Sequence, residues 1–578
     1  LYSLKVELLE KEAVTHTRME RVGFRQISTD GGVFRINGQA VKLRGVNRHD
    51  EHPDVGRATT RKQWLEDLTL MKAANINYLR LSHYTPAEGF IELCDSMGMY
   101  VGNEVTLGGA GDLMYDPSFS GAVLQRSYET IVRDINKPSI IYWSIGNEDP
   151  LTSLHMVSVK LVKALDPTRP VLLPWRPEEW LPKEVDILAP HYWNPQEYDR
   201  LAAHSDRPII STEYTHAYGN TGFGGLEARW KALTKHPSGT GAAIWMWADQ
   251  GIRTPVRNLQ KKNEDVHAGD DYLRIDYAGW DGIVDSYRNF TRDYWETKAV
   301  YAPVYPAVDK ISFVPGQDSV RIPIQNDFDF TNLSSVKMAW SVREDENVLY
   351  SGTDSMYGYP HTVSDFKLPV EKLVTVRPGR TYYVWFIFTD EKGTEITRRA
   401  VELCPQTEQP ISVPVCRELL VTEADQVTIE AGDVRYVFSP KNGQLVSAEL
   451  KGKQLIKDLY PAIWRKLNQG ETSGFGKENL RKAVDLTHYT SSVTAWKVEK
   501  PTNAVIRTTV DYRVDQENRF TVTYRYSIGV DGRLNVYYQI LTKVAVPWLP
   551  IVGMSMQSVS GLDQVHWLGL GPYDAYPN

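Results

Sequence analysis

Between Val41 and Val304 short apolar runs alternate with stretches whose apolar residues recur every three to four positions. The runs are Val41–Val46, Ile76–Leu81, Tyr100–Glu104, Ile140–Ile145, Val171–Leu173, Ile187–His191, Ile209–Glu213 and Ala243–Trp247. Continuous branched and aromatic runs of this length read as strands covered on both faces. The stretches Thr60–Ala74 (with Trp64, Leu68 and Met71 facing inward), Glu88–Met97, Ala122–Ile135 and Ser153–Ala164 carry the helical period. Eight strands alternating with helices over roughly 250 residues predict a (β/α)₈ TIM barrel. An open doubly wound sheet is the alternative, but no G-x-G-x-x-G turn follows the first strand.

Outside this region helical periodicity is lost. The pattern predicts four segments: 1–29, the end of an N-terminal β-sandwich domain; 30–303, the barrel; 304–412, an immunoglobulin-like β-sandwich; and 413–578, a large C-terminal β-sandwich domain that stops short. Gly31-Gly32, Asn37-Gly38, Lys441-Asn442-Gly443 and Val530-Asp531-Gly532 mark turns. The chain starts at Leu1 within a strand pattern and so reads as a piece of a longer one. Its compartment, cytoplasmic or periplasmic, is left open.

A length of 578 residues fits about three or four domains. A net charge of −7 supplies no basic face, which argues against a nucleic-acid partner. No apolar run is long enough to span a membrane. Sixteen Trp and 32 Tyr suit stacking on sugar rings, although sandwich cores account for most of them. Cys94 reads as a small core residue. Cys404 and Cys416 could pair, so the cysteines do not fix the redox environment.

The candidate chemistry lies at two strand ends. SIIYWSIGNEDP (139–150) delivers Glu148, and PIISTEY (208–214) delivers Glu213. A carboxylate just past a barrel strand stands where such barrels keep their chemistry. Glycoside hydrolysis needs one protonated carboxyl as acid and one ionised carboxylate as nucleophile or base. One strand-end glutamate is more often a surface charge; two in matching contexts point to such a pair.

The stretches RGVNRHDEHP (44–53), RLSHY (80–84), NKPSIIYWSIGNE (136–148), ISTEYTHAYGN (210–220) and AAIWMWADQG (242–251) make the resemblance specific. In order and spacing the chain resembles bacterial β-galactosidases of glycoside hydrolase family 2, as far as WLGLGPYDAYPN (567–578). The resemblance implies Glu148 as general acid/base and Glu213 as nucleophile. It also implies Asn147 as the contact to the sugar 2-hydroxyl, and His49, His83, Tyr192, His216 and Trp245 as substrate-binding residues. For each histidine the competing reading is a hydrogen-bonded structural residue, and for Trp245 it is core packing. Arg80 and Arg48 are expected to hold the carboxylates by charge-assisted bonds.

The chain also departs from that family. The galactosidases hold Mg²⁺ beside the acid/base through a carboxylate and a histidine after the third strand. Here NEVTLGGAGD (103–112) puts Gly108, Gly109 and Ala110 there, leaving Glu104 and Asp112 as nearby carboxylates. AGWDG (278–282) puts Asp281 where a monovalent-ion ligand is usual. No metal or other cofactor is therefore assigned, and Glu148 is expected to keep its proton through burial and the neighbouring charge of Glu213. The reading is a retaining exo-acting hydrolase that releases terminal β-D-galactose from an oligosaccharide or other small β-galactoside, as a monomer or homo-oligomer. The alternatives are a family 2 hydrolase of another β-glycoside (a glucuronide, a mannoside or a polysaccharide-derived end) and a catalytically dead carbohydrate-binding protein.

Overall fold

The structure, a computed structural model, describes residues 1–174, 181–217, 225–255, 271–275, 281–377, 380–406, 419–463, 489–500, 503–514, 517–543, 551–562 and 564. Cys416 and the segment 567–578 lie outside these residues. The chain divides into two compact units, one mainly before residue 408 and one mainly after it.

In the first unit eight parallel strands close into a barrel. They are β1 (Leu43–Arg48), β2 (Tyr78–Leu81), β3 (Tyr100–Val105), β4 (Ile140–Ile145), β5 (Val171–Pro174), β6 (Ile187–Ala189), β7 (Ile209–Ser211) and β8 (Gly239–Ile244). β8 pairs back onto β1, Ala242 opposite Arg44 and Ala243 opposite Gly45. Helices α1 (Arg61–Ala73), α2 (Glu88–Met97), α3 (Ser120–Asp134) and α4 (Ser153–Leu165) follow the first four strands. Helices α5 (Pro195–His204), α6 (Leu226–Thr234) and α7 (Arg292–Val300) follow the last three. Side-chain polarity explains the starts. Thr60 with Gln63, Thr152 with His155, and Asn194 with Glu197 form capping boxes that satisfy first-turn amides.

The strands lack polar alternation because both faces are covered. Leu172, Ile187, Ala189, Ile210 and Ala243 point into one cluster inside the barrel; Val171, Leu173, Leu188, Ile209 and Ile244 pack outward against the helices. A hairpin of Arg35–Ile36 and Gln39–Ala40 adds Phe34 and Ile36 to the inner cluster. Its turn needs positive φ at Asn37 (52°) and Gly38 (80°), which asparagine and glycine tolerate best. Asp67, buried on α1, accepts from Arg48, Arg288 and the Trp247 indole at 2.9, 2.8 and 2.8 Å, tying the helix to β1 and to the chain beyond β8.

Strands Tyr2–Glu10 and Ala13–Val22 pair as an antiparallel hairpin before the barrel. After it, a three-stranded and a five-stranded sheet (Val304–Pro306 to Glu395–Pro405) enclose a core that includes Ile322, Val342 and Phe386. This sandwich is hydrogen-bonded to the barrel: Arg44 donates to the Asp327 carbonyl and Lys298 to that of Glu395, both at 2.6 Å. The second unit faces a six-stranded antiparallel sheet with a four-stranded one around Phe438, Tyr512, Phe520 and Tyr526. No helix among the described residues is long and apolar enough to cross a membrane.

Removing one partner from a buried ion network leaves the others uncompensated. Asp67→Ala strands the Arg288 guanidinium and half of the Arg48 pairing. It is expected to cost about 3–5 kcal/mol, read as an earlier barrel transition in thermal or urea unfolding.

Candidate active site

The functional side chains gather at the C-terminal ends of the strands. The sequence pattern extends β6 to His191, β7 to Glu213 and β8 to Trp247, but the ladders stop at Ala189, Ser211 and Ile244. Beyond those points only isolated bridges remain, His191 with Glu213 and His216 with Trp245. The backbone leaves the sheet there and turns these side chains toward one another instead of alternating them across two faces. β4 ends in a tighter bend, with positive φ at Gly146 (72°) and at Glu148 itself (52°). Tyr192 also has a positive φ, 55°. Such conformations in non-glycine residues concentrate at functional sites.

Arg80, completely buried on β2, is the centre of the polar network. Its guanidinium donates to Glu213 Oε1 at 2.5 Å, Glu104 Oε2 at 3.0 Å, Asn147 Oδ1 at 2.6 Å and Asn47 Oδ1 at 3.2 Å. Burial opposes its charge, but the carboxylates of Glu104 and Glu213 outweigh that cost and raise its proton affinity. Glu104 is as deeply buried. Burial raises its pKa, yet Arg80 and His83 hold the carboxyl below the ordinary range. Arg48 plays no such part. It pairs with Asp67 and Asp50 and lies over the Phe90 ring, 4.2 Å from its centroid. The expected support of a catalytic carboxylate thus falls to Arg80 alone of the two, because Arg48 points outward to α1.

Glu213 is 4% exposed and also accepts from the Tyr192 hydroxyl at 2.5 Å. Glu148 stands at the mouth, its side chain 41% exposed. An oxygen of Glu148, one of Glu213 and a ring nitrogen of His191 lie within 4.8 Å of one another. His191 Nδ1 is 2.9 Å from Glu148 Oε1 and 3.8 Å from Glu213 Oε2. Partial burial raises the pKa of Glu148, and Arg80 and His83 offset part of the rise. The rise comes from burial and not, as expected, also from the charge of Glu213.

Rings form one wall. Trp245 stacks on His83, centroids 5.1 Å apart at 14°, and His49 meets both edge-on at 5.5 Å. The Trp245 indole is held by Asp281 Oδ2 at 2.6 Å, so Asp281 acts here as the anchor of that wall. Its flank 278–280 lies outside the described residues. His216 lies 5.9 Å from the Tyr192 ring. Burial depresses His49 to about 3 and His216 to about 4, so both rings are neutral near neutral pH.

All eight residues singled out from sequence therefore meet at one end of the barrel. Sequence reasoning missed His191, whose only signal is its place beside Tyr192 past an apolar run. It also left Glu104 and Asp281 without a role.

The donors for the family's Mg²⁺ do not fit. A Cβ on Gly108 would lie 2.9 Å from that of Asn147, so a side-chain ligand could not be placed there without moving the loop. Asp149, next to Glu148, accepts from the Gly111 amide at 3.0 Å and holds the 109–111 backbone. Glu104 is bound to Arg80, His83 and Ser144, and Asp112 is exposed on a short 3₁₀ turn. Among the described residues Glu148, His191 and Glu213 alone form a group with metal-ligand spacing, but their facing atoms are already hydrogen-bonded within the site.

Residues 27–305 match the family model of the glycosyl hydrolases family 2 TIM barrel domain, and residues 430–578 match that of the β-galactosidase small chain. The chain belongs to glycoside hydrolase family 2. Two family 2 relatives named β-galactosidase illustrate the match. That of Lactobacillus delbrueckii subsp. bulgaricus is 28% identical over 100% of this chain and 58% of its own length. That of Kluyveromyces lactis is 27% identical over 100% and 59%. The chain thus spans about three-fifths of the curated relatives it matches. A solved family 2 β-galacturonidase from Eisenbergiella tayi, bound to galacturonate, is 24% identical, with a TM-score of 0.44 over 52% of this chain and 58% of that one.

Two outcomes follow from the geometry. Arg80→Lys keeps the charge but cannot reach Glu213, Glu104 and Asn147 together. Misplacement on this scale is expected to lower kcat/KM on a nitrophenyl β-glycoside about a hundredfold. Because the donors at 108–110 do not build an Mg²⁺ shell, EDTA is expected to leave kcat and its pH profile unchanged. A tenfold loss restored by Mg²⁺ would contradict that.

Proposed function

We propose that this chain carries the catalytic barrel of a retaining exo-β-galactosidase, with Glu213 as nucleophile and Glu148 as general acid/base. The observation that carries the reading is the carboxylate spacing. Oxygens of Glu148 and Glu213 come within 4.8 Å. Retaining enzymes hold their carboxyl groups about 5–5.5 Å apart, whereas inverting ones leave about 6.5–9.5 Å for a water.

In the first step a Glu213 oxygen bonds to the anomeric carbon as the bond to the leaving oxygen breaks, and the Glu148 proton passes to that oxygen. In the second, Glu148 takes a proton from water as the water oxygen attacks the same carbon and the bond to Glu213 breaks. Arg80 and the Tyr192 hydroxyl fix the nucleophile and stabilise its anionic form between attacks. Asn147, oriented by Arg80, is placed to meet the sugar 2-hydroxyl. Trp245, His83 and His49 offer a wall of rings for the sugar, and His216 flanks Tyr192. Galactose as the sugar rests on the Asn47-Arg48-His49 and Gly146-Asn147-Glu148 segments and on relatives named β-galactosidase. The second reading, a family 2 hydrolase of another β-glycoside, is favoured by the altered 108–111 loop, which lies beside Glu148 where an aglycone would leave.

A panel of nitrophenyl β-glycosides followed by NMR decides between them. Expected is preferential cleavage of the galactoside with the β-anomer as first product. The α-anomer first would overturn retention, and preference for a glucuronide or mannoside would select the second reading. Cleavage of none would leave a binding protein.

The two glutamates should fail differently. Glu213→Gln is expected to lower kcat by several orders of magnitude on every substrate. Glu148→Gln should spare the first step on activated nitrophenyl leaving groups and abolish it on poor ones, while slowing the second step on both; azide, which needs no base, should restore turnover of the former. Since the reactive form of Glu148 carries a proton and its pKa is raised, kcat/KM should hold above the ordinary carboxylate range and fall as pH rises through that raised value.

A further inference from the structure

Among the described residues, His191 is the buried ring placed between the two carboxylates. Nδ1 faces Glu148 Oε1 at 2.9 Å, and Nε2 faces the hydroxyl of Thr212, the residue before Glu213, at 2.7 Å. Backbone geometry fixes this placement: His191 bridges Glu213 in parallel register, and the Tyr192 amide donates to the Glu213 carbonyl at 2.8 Å. Glu148 must change charge state in every turnover, since it gives a proton in one step and takes one in the next. A fixed donor beside it favours its carboxylate, and a fixed acceptor favours its acid.

We propose that His191 is a positioning residue that follows Glu148 through both charge states by exchanging tautomers, with the Thr212 hydroxyl reversing its hydrogen bond to match. When Glu148 is ionised, Nδ1–H donates to it and Nε2 accepts from Thr212. When Glu148 is protonated, its O–H donates to Nδ1 and Nε2–H donates to Thr212. Imidazole carries one proton in each resting state; the tautomers interconvert through a transient imidazolium, one nitrogen gaining a proton before the other loses its own, so the only net proton gained or lost between the two states is that of Glu148. A hydroxyl suits the far side because it both donates and accepts. Burial supports the neutral ring: it depresses His191 to about 4, with the charge of Glu213 only partly offsetting it. Arg80, Glu104 and His83 also act on the ring, and Arg80 and His83 on Glu148. The inference rests on the acid/base reading of Glu148.

The test combines kinetics with ring spectroscopy on the whole chain. His191→Ala is expected to lower kcat on phenyl β-galactoside by about 10–100-fold with KM within about threefold, the scale of acid–base assistance. On 4-nitrophenyl β-galactoside, whose leaving group needs little protonation, azide should restore the rate lost in the second step. Thr212→Val, which keeps the ring and the local volume, should show the same pattern with a smaller loss. Independently of turnover, ¹⁵N shifts of His191 should pass from the Nδ1–H to the Nε2–H tautomer as pH falls through the Glu148 titration, without imidazolium shifts. Equal losses on both substrates with no azide response, wild-type kcat in both variants, or a ring fixed in one tautomer would each overturn the proposal. If the wild-type chain cleaves no β-glycoside, the acid/base reading fails and the catalytic role with it, while the ¹⁵N titration still decides the pairing of His191 with Glu148.

Discussion

A fully buried guanidinium sets the terms for the catalytic end of the barrel. Arg80 has no access to water, so its charge survives only because Glu213 and Glu104 face it and because Asn147 and Asn47 take its remaining N–H groups. Breaking such a pair costs more than the pair contributes, so each member is held to one geometry. The same fork fixes Glu213 and Asn147, the residue next to Glu148. Two functional groups from β4 and β7 are thereby referenced to a single side chain on β2.

Burial separates the two carboxylates chemically. Glu213 lies deep, accepting from Arg80 and from the Tyr192 hydroxyl. Glu148 lies at the mouth, facing a neutral imidazole, and burial moves its pKa upward. Different environments of this kind are what an acid and nucleophile pair requires. Around them the rings of His49, His191 and His216 are kept uncharged by desolvation.

Much of this was legible in the chain itself. Continuous apolar runs signalled strands buried on both faces, and eight such runs signalled closure into a barrel. Ile140–Ile145 has the same bounds in pattern and in structure because proline and glycine punctuate both ends. The ends of β6, β7 and β8 were not legible. His191, Glu213 and Trp245 continue the apolar pattern while the backbone has already left the ladder, since exposure to a pocket and exposure to a neighbouring strand look alike in sequence. His191 escaped notice for that reason. The role of Arg48 was misread because two arginines, each on a strand of the barrel, cannot be assigned to inside or outside without the register. The replacement of metal donors by Gly108 and Ala110 was visible. Its structural counterpart, a loop packed on Asn147 and pinned by Asp149, was not.

The central claim is that Glu213 attacks the anomeric carbon while Glu148 handles the proton. The direct measurement is trapping with an activated 2-deoxy-2-fluoro-β-galactoside followed by peptide mass mapping. The account predicts a single glycosyl group, attached to Glu213, that forms with loss of activity and is released by transglycosylation to an added acceptor. A label on Glu148, or galactoside hydrolysis by inversion with no trapped species, would contradict it.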